Sequence, residues 1–388
     1  MTRRDCLALA PLLISGACGR SKGSGFFGYA FIATSGDTAL AVVDLTAFRL
    51  LPAIPLGAPP VAVVAAPSVG CSYVLTPSTD SVHVVDQTLS QVAVHRLGSG
   101  LSQIKLAPDG RTLLGLCHRS REIVIAETGY GKSGANAASL PVIRRFKVDG
   151  EPLGFDVSRT GHIAVLTGVP GVVELLHLAT GQRTHAQMPD PVSALRFRDD
   201  GKLLLLARPR DRSIAALDVP SLRIIAELPL AMQPDNLCFS VDGGQLFVSG
   251  AGMDAVAVVF PYRTLEVDQT ILAGRDPGLM TCSEDPNYLF VASGSGAQLS
   301  VLSVETRQML GTVEVGGKPA YLAVTPDNQY ALTFNETTGD MAVIRIPSIG
   351  ANIAKSPADR RYKLVAALFT MLNVGAKPIH AAIMPRQA

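Results

Sequence analysis

The sequence predicts an all-β fold made of one repeated unit, and three observations support this. The first is an internal period of about forty residues, with units that begin at residues 60, 101, 152, 191, 234, 277 and 319. The second is the alternation of apolar and polar residues within short segments, which is typical of strands. The third is the abundance of glycine (36) and proline (26) between these segments. Such units are the signature of propeller blades, so we predict a single β-propeller.

The clearest copy of the repeat begins at Lys318 and reads KPAYLAVTPDNQYALTFNETTGDMAVIRIPS. A proline precedes an apolar strand, a Pro-Asp-Asn turn leads into a second strand, and a polar turn leads into a third. Three close copies and three weaker ones start at Leu101, Pro234, Pro277, Pro60, Pro152 and Pro191. Segments such as SVHVVD and DAVAVV alternate with period two, which excludes helical repeats of similar length.

The two ends of the chain are complementary. Residues 29–57 match the second, third and fourth strands of a unit but lack the first. The C-terminal segment VGAKPIHAAIMPRQA ends in a lone first strand, from Pro378 to Pro385, which is similar to VGGKPAYLAVTPD. We therefore expect the last strand to complete the first blade, because closure leaves no open sheet edge. The count is then eight four-stranded blades, or seven if one weak unit is degenerate.

The second strands of the units carry a recognisable motif. YVLT at residues 73–76 is followed by DSVHVVD, and FIAT at residues 31–34 is followed by TALAVVD. Together with Val-Gly-x-x-Pro joints at 315–319 and 374–378, these segments resemble the YVTN-type β-propeller repeat family over nearly all of residues 28–388. The resemblance implies an exported repeat protein, related to lactonases, quinoprotein and amine dehydrogenase subunits and haem nitrite reductases. The absence of tryptophan argues against the WD40 type.

Residues 1–27 are interpreted as an export signal and spacer in front of the propeller at residues 28–388. Arg3 and Arg4 form a positive start, an apolar run follows over residues 7–14, and small residues lead to Cys18. This order resembles a twin-arginine signal and a degenerate lipobox, although Ser15 stands where a lipobox has leucine. We expect an exported protein, periplasmic or at the cell surface, with lipidation at Cys18. The alternative is an ordinary N-terminal strand or helix.

Composition limits the partners. The net charge of +2 gives no electrostatic case for nucleic acid, and no later apolar run approaches the roughly 20 residues that cross a bilayer. We expect a soluble, monomeric body that meets a membrane only through Cys18. No CxxC or CxxCH motif occurs, so neither a metal nor a cofactor is predicted. The cysteines of the body are expected to be buried free thiols, and they are Cys71, Cys117, Cys238 and Cys282.

A first group of candidate binding residues surrounds the predicted channel. The innermost strand of each blade begins near the channel mouth, so the residue two positions beyond each unit start should face it. These residues are Ala62, Gln103, Gly154, Ser193, Asn236, Leu279, Tyr321 and His380. We select Asn236, Tyr321 and His380 as candidate ligand contacts. The alternative is that they are polar groups satisfied beside channel water.

A second group lies in two turns between second and third strands on the same face. These turns contribute His118, Arg119, Arg121, Arg208, Arg210 and Arg212. Because arginine suits two-point contacts with carboxylate or phosphate, the turns predict affinity for an anion. The alternative is solvated charge, partly paired with Asp211 and Glu122. Other blades place acidic residues on this face, at Asp80, Asp254, Glu336 and Asp340.

The propeller units contain no complete catalytic set. They hold no Gly-x-Ser-x-Gly elbow, and no carboxylate joins Asn236 at the predicted ring positions to bind a metal. We therefore expect an exported, non-catalytic binding scaffold for a protein, a glycan or a small anionic ligand. The alternative is a propeller enzyme of lactonase or quinoprotein dehydrogenase type with its site in the central channel.

Overall fold

Eight four-stranded antiparallel sheets stand in a ring around a central channel, which makes the fold a β-propeller. The structure, a computed structural model, describes residues 25–129, 139–168, 171–263, 265–353, 364 and 367–386. The predicted all-β class and the count of eight blades are confirmed, and the alternative count of seven is wrong. In each blade, the four strands lie side by side from the channel to the outer edge of the propeller.

The first four blades use the N-terminal half of the chain and one strand from its C-terminus. From the channel outwards, blade 1 contains β32 (Pro378–Pro385), β1 (Gly28–Thr34), β2 (Ala39–Asp44) and β3 (Arg49–Pro55). Blade 2 contains β4 (Ala62–Ala66), β5 (Cys71–Thr76), β6 (Ser81–Asp86) and β7 (Gln91–Arg96), with a 3-10 turn at Pro77–Thr79. Blade 3 contains β8 (Leu101–Leu106), β9 (Thr112–Cys117), β10 (Glu122–Glu127) and β11 (Val142–Lys147). Blade 4 contains β12 (Pro152–Val157), β13 (His162–Thr167), β14 (Val172–His177) and β15 (Arg183–Gln187).

The other four blades follow in sequence order. Blade 5 contains β16 (Ala194–Phe197), β17 (Leu203–Arg208), β18 (Ser213–Asp218) and β19 (Ile224–Pro229). Blade 6 contains β20 (Gln233–Phe239), β21 (Leu246–Ala251), β22 (Ala255–Val259) and β23 (Val267–Leu272). Blade 7 contains β24 (Pro277–Cys282), β25 (Tyr288–Ser293), β26 (Gln298–Ser303) and β27 (Gln308–Glu314). Blade 8 contains β28 (Pro319–Val324), β29 (Tyr330–Asn335), β30 (Asp340–Arg345) and β31 (Leu368–Asn373), with helix α1 (Ile346–Ile353) before its last strand.

The C-terminal strand closes the ring as the sequence predicts. Strand β32 pairs antiparallel with β1, in a register that sets Tyr29 opposite Met384 and Ala33 opposite His380. Met384 is buried in a cluster that also contains Phe31 and Val63, so the last strand packs against blade 2 as well as against its own blade. The closing strand is therefore part of both the sheet and the core.

The apolar core lies between blades. Each buried cluster joins two adjacent sheets: one, for example, packs Val84 of blade 2 against Leu113 of blade 3, and another packs Phe334 of blade 8 against Ile32 of blade 1. The middle strands are buried on both faces, which is why they are nearly continuous apolar runs such as LLLLAR in β17. The outermost strands alternate with exposed residues. A propeller of this kind is stabilised mainly by contacts between sheets.

Tight turns join the strands, and glycine is required in some of them. Gly201, in the turn between β16 and β17, has a φ of +68°, and a Cβ there would collide with the hydroxyl of Thr160. The sequence places Asp-Asp-Gly at this turn, as hairpins with positive φ demand.

Several sequence predictions fall outside the described residues. Cys18 and the rest of residues 1–24 do so, as do parts of the two insertions at 129–140 and 347–361.

None of the helices described in this structure has the length and apolar character that a membrane crossing requires. No disulfide joins the four described cysteines; two of them are buried, as predicted, but Cys238 and Cys282 are only partly buried.

The closing strand should contribute strongly to stability. We expect Met384→Ala to lower the free energy of unfolding by about 2–5 kcal/mol, because it removes a buried side chain between blades 1 and 2. Met371→Ala is the matched control, since Met371 lies on the outermost strand of blade 8 and is 39% exposed. Its effect should stay within about 0.5 kcal/mol in the same urea titration. Equal effects of the two substitutions would contradict the assigned role of β32.

Candidate functional site

A cavity of about 580 Å³ lies in the central channel. Its wall is built by the innermost strands of blades 3 to 8. Six of the eight ring positions selected from the sequence line it, namely Gln103, Gly154, Ser193, Asn236, Leu279 and Tyr321. The inference that the residue two positions beyond each unit start faces the channel therefore holds for these six positions, whereas Ala62 and His380 do not line this cavity.

β-Bulges near the start of the innermost strands shape the channel mouth. In blade 6 the register between β20 and β21 shifts between Pro234 and Asn236, so that Asp235 is the extra residue. The same shift occurs in blade 4, where Leu153 is the extra residue. Bulges re-aim side chains, and both of these residues line the cavity. The strict two-residue alternation used on the sequence misses Asp235, a carboxylate at the mouth.

A cluster of three charged residues lies one layer deeper in the channel. Lys105 Nζ donates to Asp156 Oδ1 at 2.9 Å and to the carbonyl of Phe155 at 2.6 Å. Arg196 approaches the same carboxylate oxygen at 3.4 Å, and the backbone N–H of Phe197 donates to Oδ2 at 3.0 Å. Blades 3, 4 and 5 each contribute one of the charged residues. Asp156 is thus held between two cations.

The two cations differ in how far their charge is compensated. Burial lowers the pKa of Lys105, and Asp156 opposes this shift. The side chain of Arg196 is 46% exposed, and its ion pair with Asp156 is its only one among the described residues. Lys105 uses two of its three N–H donors on Phe155 and Asp156, whereas Arg196 makes one such contact to the described residues with its five donors, so Arg196 has the larger unused hydrogen-bonding capacity.

The sequence contains a signal for this deeper layer. Lys105, Asp156 and Cys238 each stand two residues beyond a predicted ring residue, where period two returns a side chain to the same face of a strand. The sequence interpretation stopped at the first layer and therefore missed them.

Among the residues that the structure describes, no group of three or more His, Cys, Asp or Glu is placed to hold a metal ion.

Tyr321 and His380 meet between blades 8 and 1, as the ring order predicts. Their rings stack with centroids 4.2 Å apart and planes 30° apart. The backbone N–H of Val63 donates to His380 Nδ1 at 3.5 Å. Burial lowers the pKa of His380 to about 4, so the imidazole is neutral at pH 7. Burial also raises the pKa of the Tyr321 hydroxyl, while the charge of Arg196 opposes that shift.

The basic turn of blade 3 is only partly available to a ligand. His118 is half-buried, and its Nδ1 lies 2.7 Å from the carbonyl of Gly100 as a hydrogen-bond donor. Arg119 and Arg121 are exposed and form no ion pair within the described part of the chain. Glu122 does not compensate them, because it pairs with Arg145 and Lys147.

The basic turn of blade 5 differs from the sequence expectation at its first arginine. Arg208 is 5% exposed and pairs with Glu227 at 2.6 Å, with Asp190 at 3.9 Å and with Asp211. Arg208 therefore stabilises blade 5 through these ion pairs, and we exclude it from the groups available to an anion. Arg210 and Arg212 are exposed and have no ion pair to any described residue.

The acidic residues of the same face mostly bond to the protein itself. Asp80 Oδ1 accepts the backbone N–H groups of Gly100 and Leu101, at 2.8 and 3.1 Å. Asp254 Oδ1 accepts the N–H of Asp276 at 3.0 Å, in the corresponding link between blades 6 and 7. These carboxylates hold the connections between neighbouring blades.

Comparisons with known proteins support the fold. No protein-family profile and no curated protein sequence matches the chain. Among solved structures, dihydro-heme d1 dehydrogenase NirN in complex with DHE is 15% identical, with a TM-score of 0.71 over 92% of this chain and 75% of NirN. Apo AztD from Citrobacter koseri is 13% identical, with a TM-score of 0.64 over 93% of this chain and 98% of AztD. The C-terminal WD40 domain of Sif2 is 11% identical, with a TM-score of 0.64 over 83% and 89%. These likenesses show a β-propeller fold, and membership of the YVTN-type family stays a prediction.

Arg208 and Arg210 should respond differently to truncation. We expect Arg208→Ala to lower the free energy of unfolding by about 1.5–3 kcal/mol, because it removes charge-assisted hydrogen bonds and leaves three carboxylates together. Arg210→Ala should change it by less than about 0.5 kcal/mol. Chemical denaturation of the two variants measures both values. A neutral Arg208→Ala would show that this arginine is not a structural residue.

The depressed pKa of His380 predicts a pH-dependent stability. Between pH 6.5 and about 4 the unfolded chain binds a proton at His380 and the folded chain does not, so stability falls as the pH falls. The loss is at most about 3–4 kcal/mol. His380→Phe retains a ring against Tyr321 and cannot titrate. We expect the wild-type protein to lose more stability than this variant between pH 7 and pH 4.5 in urea denaturation, and parallel curves would contradict the burial of a neutral imidazole.

Proposed function

We propose that this protein is an exported, non-catalytic binding protein whose central channel takes a small anionic ligand. The observation that carries the proposal is Arg196, a half-exposed cation in the channel wall with only a 3.4 Å contact to Asp156. Guanidinium groups favour bidentate contacts with carboxylates and phosphates. An arginine that shares its one carboxylate partner with a lysine is therefore best explained by an anion that completes its hydrogen bonds.

The size and chemistry of the cavity favour a small molecule. A volume of about 580 Å³ lies within the range of ordinary ligand sites, and the walls combine apolar groups with a few polar ones. Gln103 and Asn236 present amides, which both donate and accept hydrogen bonds. Gln103 already donates to the carbonyl of Leu153 at 2.9 Å, so Asn236 is the more available of the two.

Asp235 narrows the class of anion further. Its carboxylate at the mouth repels a simple dianion but accepts hydrogen bonds from hydroxyl or amino groups. We therefore infer a ligand with one carboxylate directed at Arg196 and a hydroxyl or amino group directed at Asp235. Hydroxy acids, sugar acids and amino acids have this combination.

The location and attachment are proposed from the leader sequence. The positive start, the apolar run and Cys18 support export to the periplasm or the cell surface, with a lipid anchor on Cys18. The exposed arginines of the rim, at positions 119, 121, 210 and 212, remain a second surface for a protein or glycan partner. The channel is preferred because Arg196, Asp235 and Asn236 line the same cavity.

An enzyme with its site in the same channel is the second candidate function. The unprotonated His380 beside Tyr321 supports it, since a neutral imidazole can accept a proton. Metal analysis and an absorption spectrum of the protein purified from its exported form separate the two candidates. A stoichiometric metal or a bound chromophore would favour the enzyme.

The channel site predicts opposite effects of two charge-neutralising substitutions. We use glycerate, a hydroxy acid, and succinate, a simple dianion, as calorimetric probes. Arg196→Gln should weaken glycerate binding roughly 10- to 100-fold, the loss of one charge-assisted contact. Asp235→Asn should strengthen succinate binding, because it removes a like charge.

The rim provides the control. A variant with Arg119, Arg121, Arg210 and Arg212 all replaced by alanine should bind glycerate within about two-fold of the wild type, because exposed charges contribute little. Loss of binding in this variant, with Arg196→Gln unaffected, would place the anion site on the rim and overturn the channel proposal.

A further inference from the structure

Two cysteines from neighbouring blades meet at the channel wall. Cys238 lies on the innermost strand of blade 6 and Cys282 on that of blade 7, and their Sγ atoms are 4.0 Å apart. Both side chains are partly exposed, and Cys238 lines the channel cavity. The sequence separates them by 44 positions and gives them no shared motif.

We propose that Cys238 and Cys282 are a redox-active pair that closes into a disulfide between blades 6 and 7 when the protein meets a small disulfide oxidant. A disulfide requires the sulfurs to approach by about 2 Å from their present separation. Rotation about the Cα–Cβ bonds of the two cysteines brings their Sγ atoms together. The packing between blades 6 and 7 is kept, because their shared apolar cluster does not change. That cluster packs Cys238 and Cys282 against residues of both blades, including Phe247 and Leu289.

The two thiols have different roles in the exchange. Either thiol can donate across the 4.0 Å contact; with Cys282 as the donor, the hydrogen bond lowers the pKa of Cys238, and the charge of Arg196 contributes to the same shift. The same interaction, together with burial, raises the pKa of Cys282. Because the thiolate is the nucleophile, Cys238 attacks first, from its position on the cavity wall. Cys282 then resolves the mixed disulfide.

The reaction balances with oxidised glutathione as the oxidant. The thiolate of Cys238 attacks one sulfur of glutathione disulfide, forms a mixed disulfide and releases one glutathione thiolate. The thiolate of Cys282 then attacks Sγ of Cys238 and releases the second glutathione thiolate. The two protons of the cysteine thiols pass to the two glutathione molecules, and the glutathione disulfide is reduced by two electrons.

The remaining body cysteines provide an internal control. Cys71 and Cys117 are 1% and 0% exposed, and burial raises the pKa of both, that of Cys117 to about 11. Buried thiols with raised pKa values react slowly. Oxidation should therefore leave them reduced while it closes the channel pair.

The experiment exposes the full-length protein to oxidised glutathione and maps its peptides without reduction. We expect a cross-linked peptide that joins Cys238 to Cys282, and a melting temperature that falls when dithiothreitol is added. Cys282→Ser should stop the reaction at a glutathione adduct on Cys238. Cys238→Ser should react at least 10-fold more slowly at the remaining thiol, and Cys117→Ser should form the cross-link like the wild type.

Two results would overturn the disulfide, and a third would overturn the role of Cys238 as the attacking thiol. One is that both thiols of the wild-type protein stay reduced under conditions in which Cys282→Ser forms the glutathione adduct. The other is separate glutathione adducts on Cys238 and Cys282 without a cross-link. Failure of Cys282→Ser to react at all, in a protein that melts like the wild type, would show that Cys238 is not the attacking thiol.

Discussion

The pairing of β32 with β1 is the constraint on which the rest of the molecule depends. It joins residues from the two ends of the described chain in one sheet, from Gly28 opposite Pro385 to Thr34 opposite Pro378. Each blade alone is a small sheet with two open edges and two apolar faces, and it becomes stable only between two neighbours. Closing the ring gives blades 1 and 8 the neighbours that an open row would deny them. The apolar clusters between blades then form a continuous circle.

The channel is a consequence of this circle. Because the innermost strands run side by side around one axis, residues far apart in sequence share a wall. Lys105, Asp156 and Arg196 come from three successive blades and form one ion cluster. Asp156, a half-buried carboxylate between two cations, avoids the cost of an isolated charge and leaves the cluster with a net positive charge at the cavity wall. The rigid scaffold fixes these groups before any ligand arrives, which lowers the entropic cost of binding.

The same geometry explains why polar residues on the face that carries the channel mouth have unequal roles. Asp80 and Asp254 fasten the links between blades through backbone N–H groups, and Arg208 fastens its own blade through carboxylates. Arg196 and Cys238 instead line the channel cavity, where they are accessible to solutes. A charge on this face is structural where protein partners compensate it and available for binding where they do not.

The sequence by itself determined the all-β class, a ring of eight or seven blades, the closure by the last strand and most of the first channel layer, because these follow from local periodicity and from two complementary ends. Only the tertiary structure decided that Arg208 is buried, that Asp235 reaches the cavity and that Cys238 lies 4.0 Å from Cys282. The first depends on carboxylates that fold around the arginine, the second on a bulge that breaks the two-residue alternation, and the third on the distance between neighbouring strands. A repeat pattern predicts none of these three features. It predicts the order of the strands, but it does not predict which side chains of neighbouring blades are in contact.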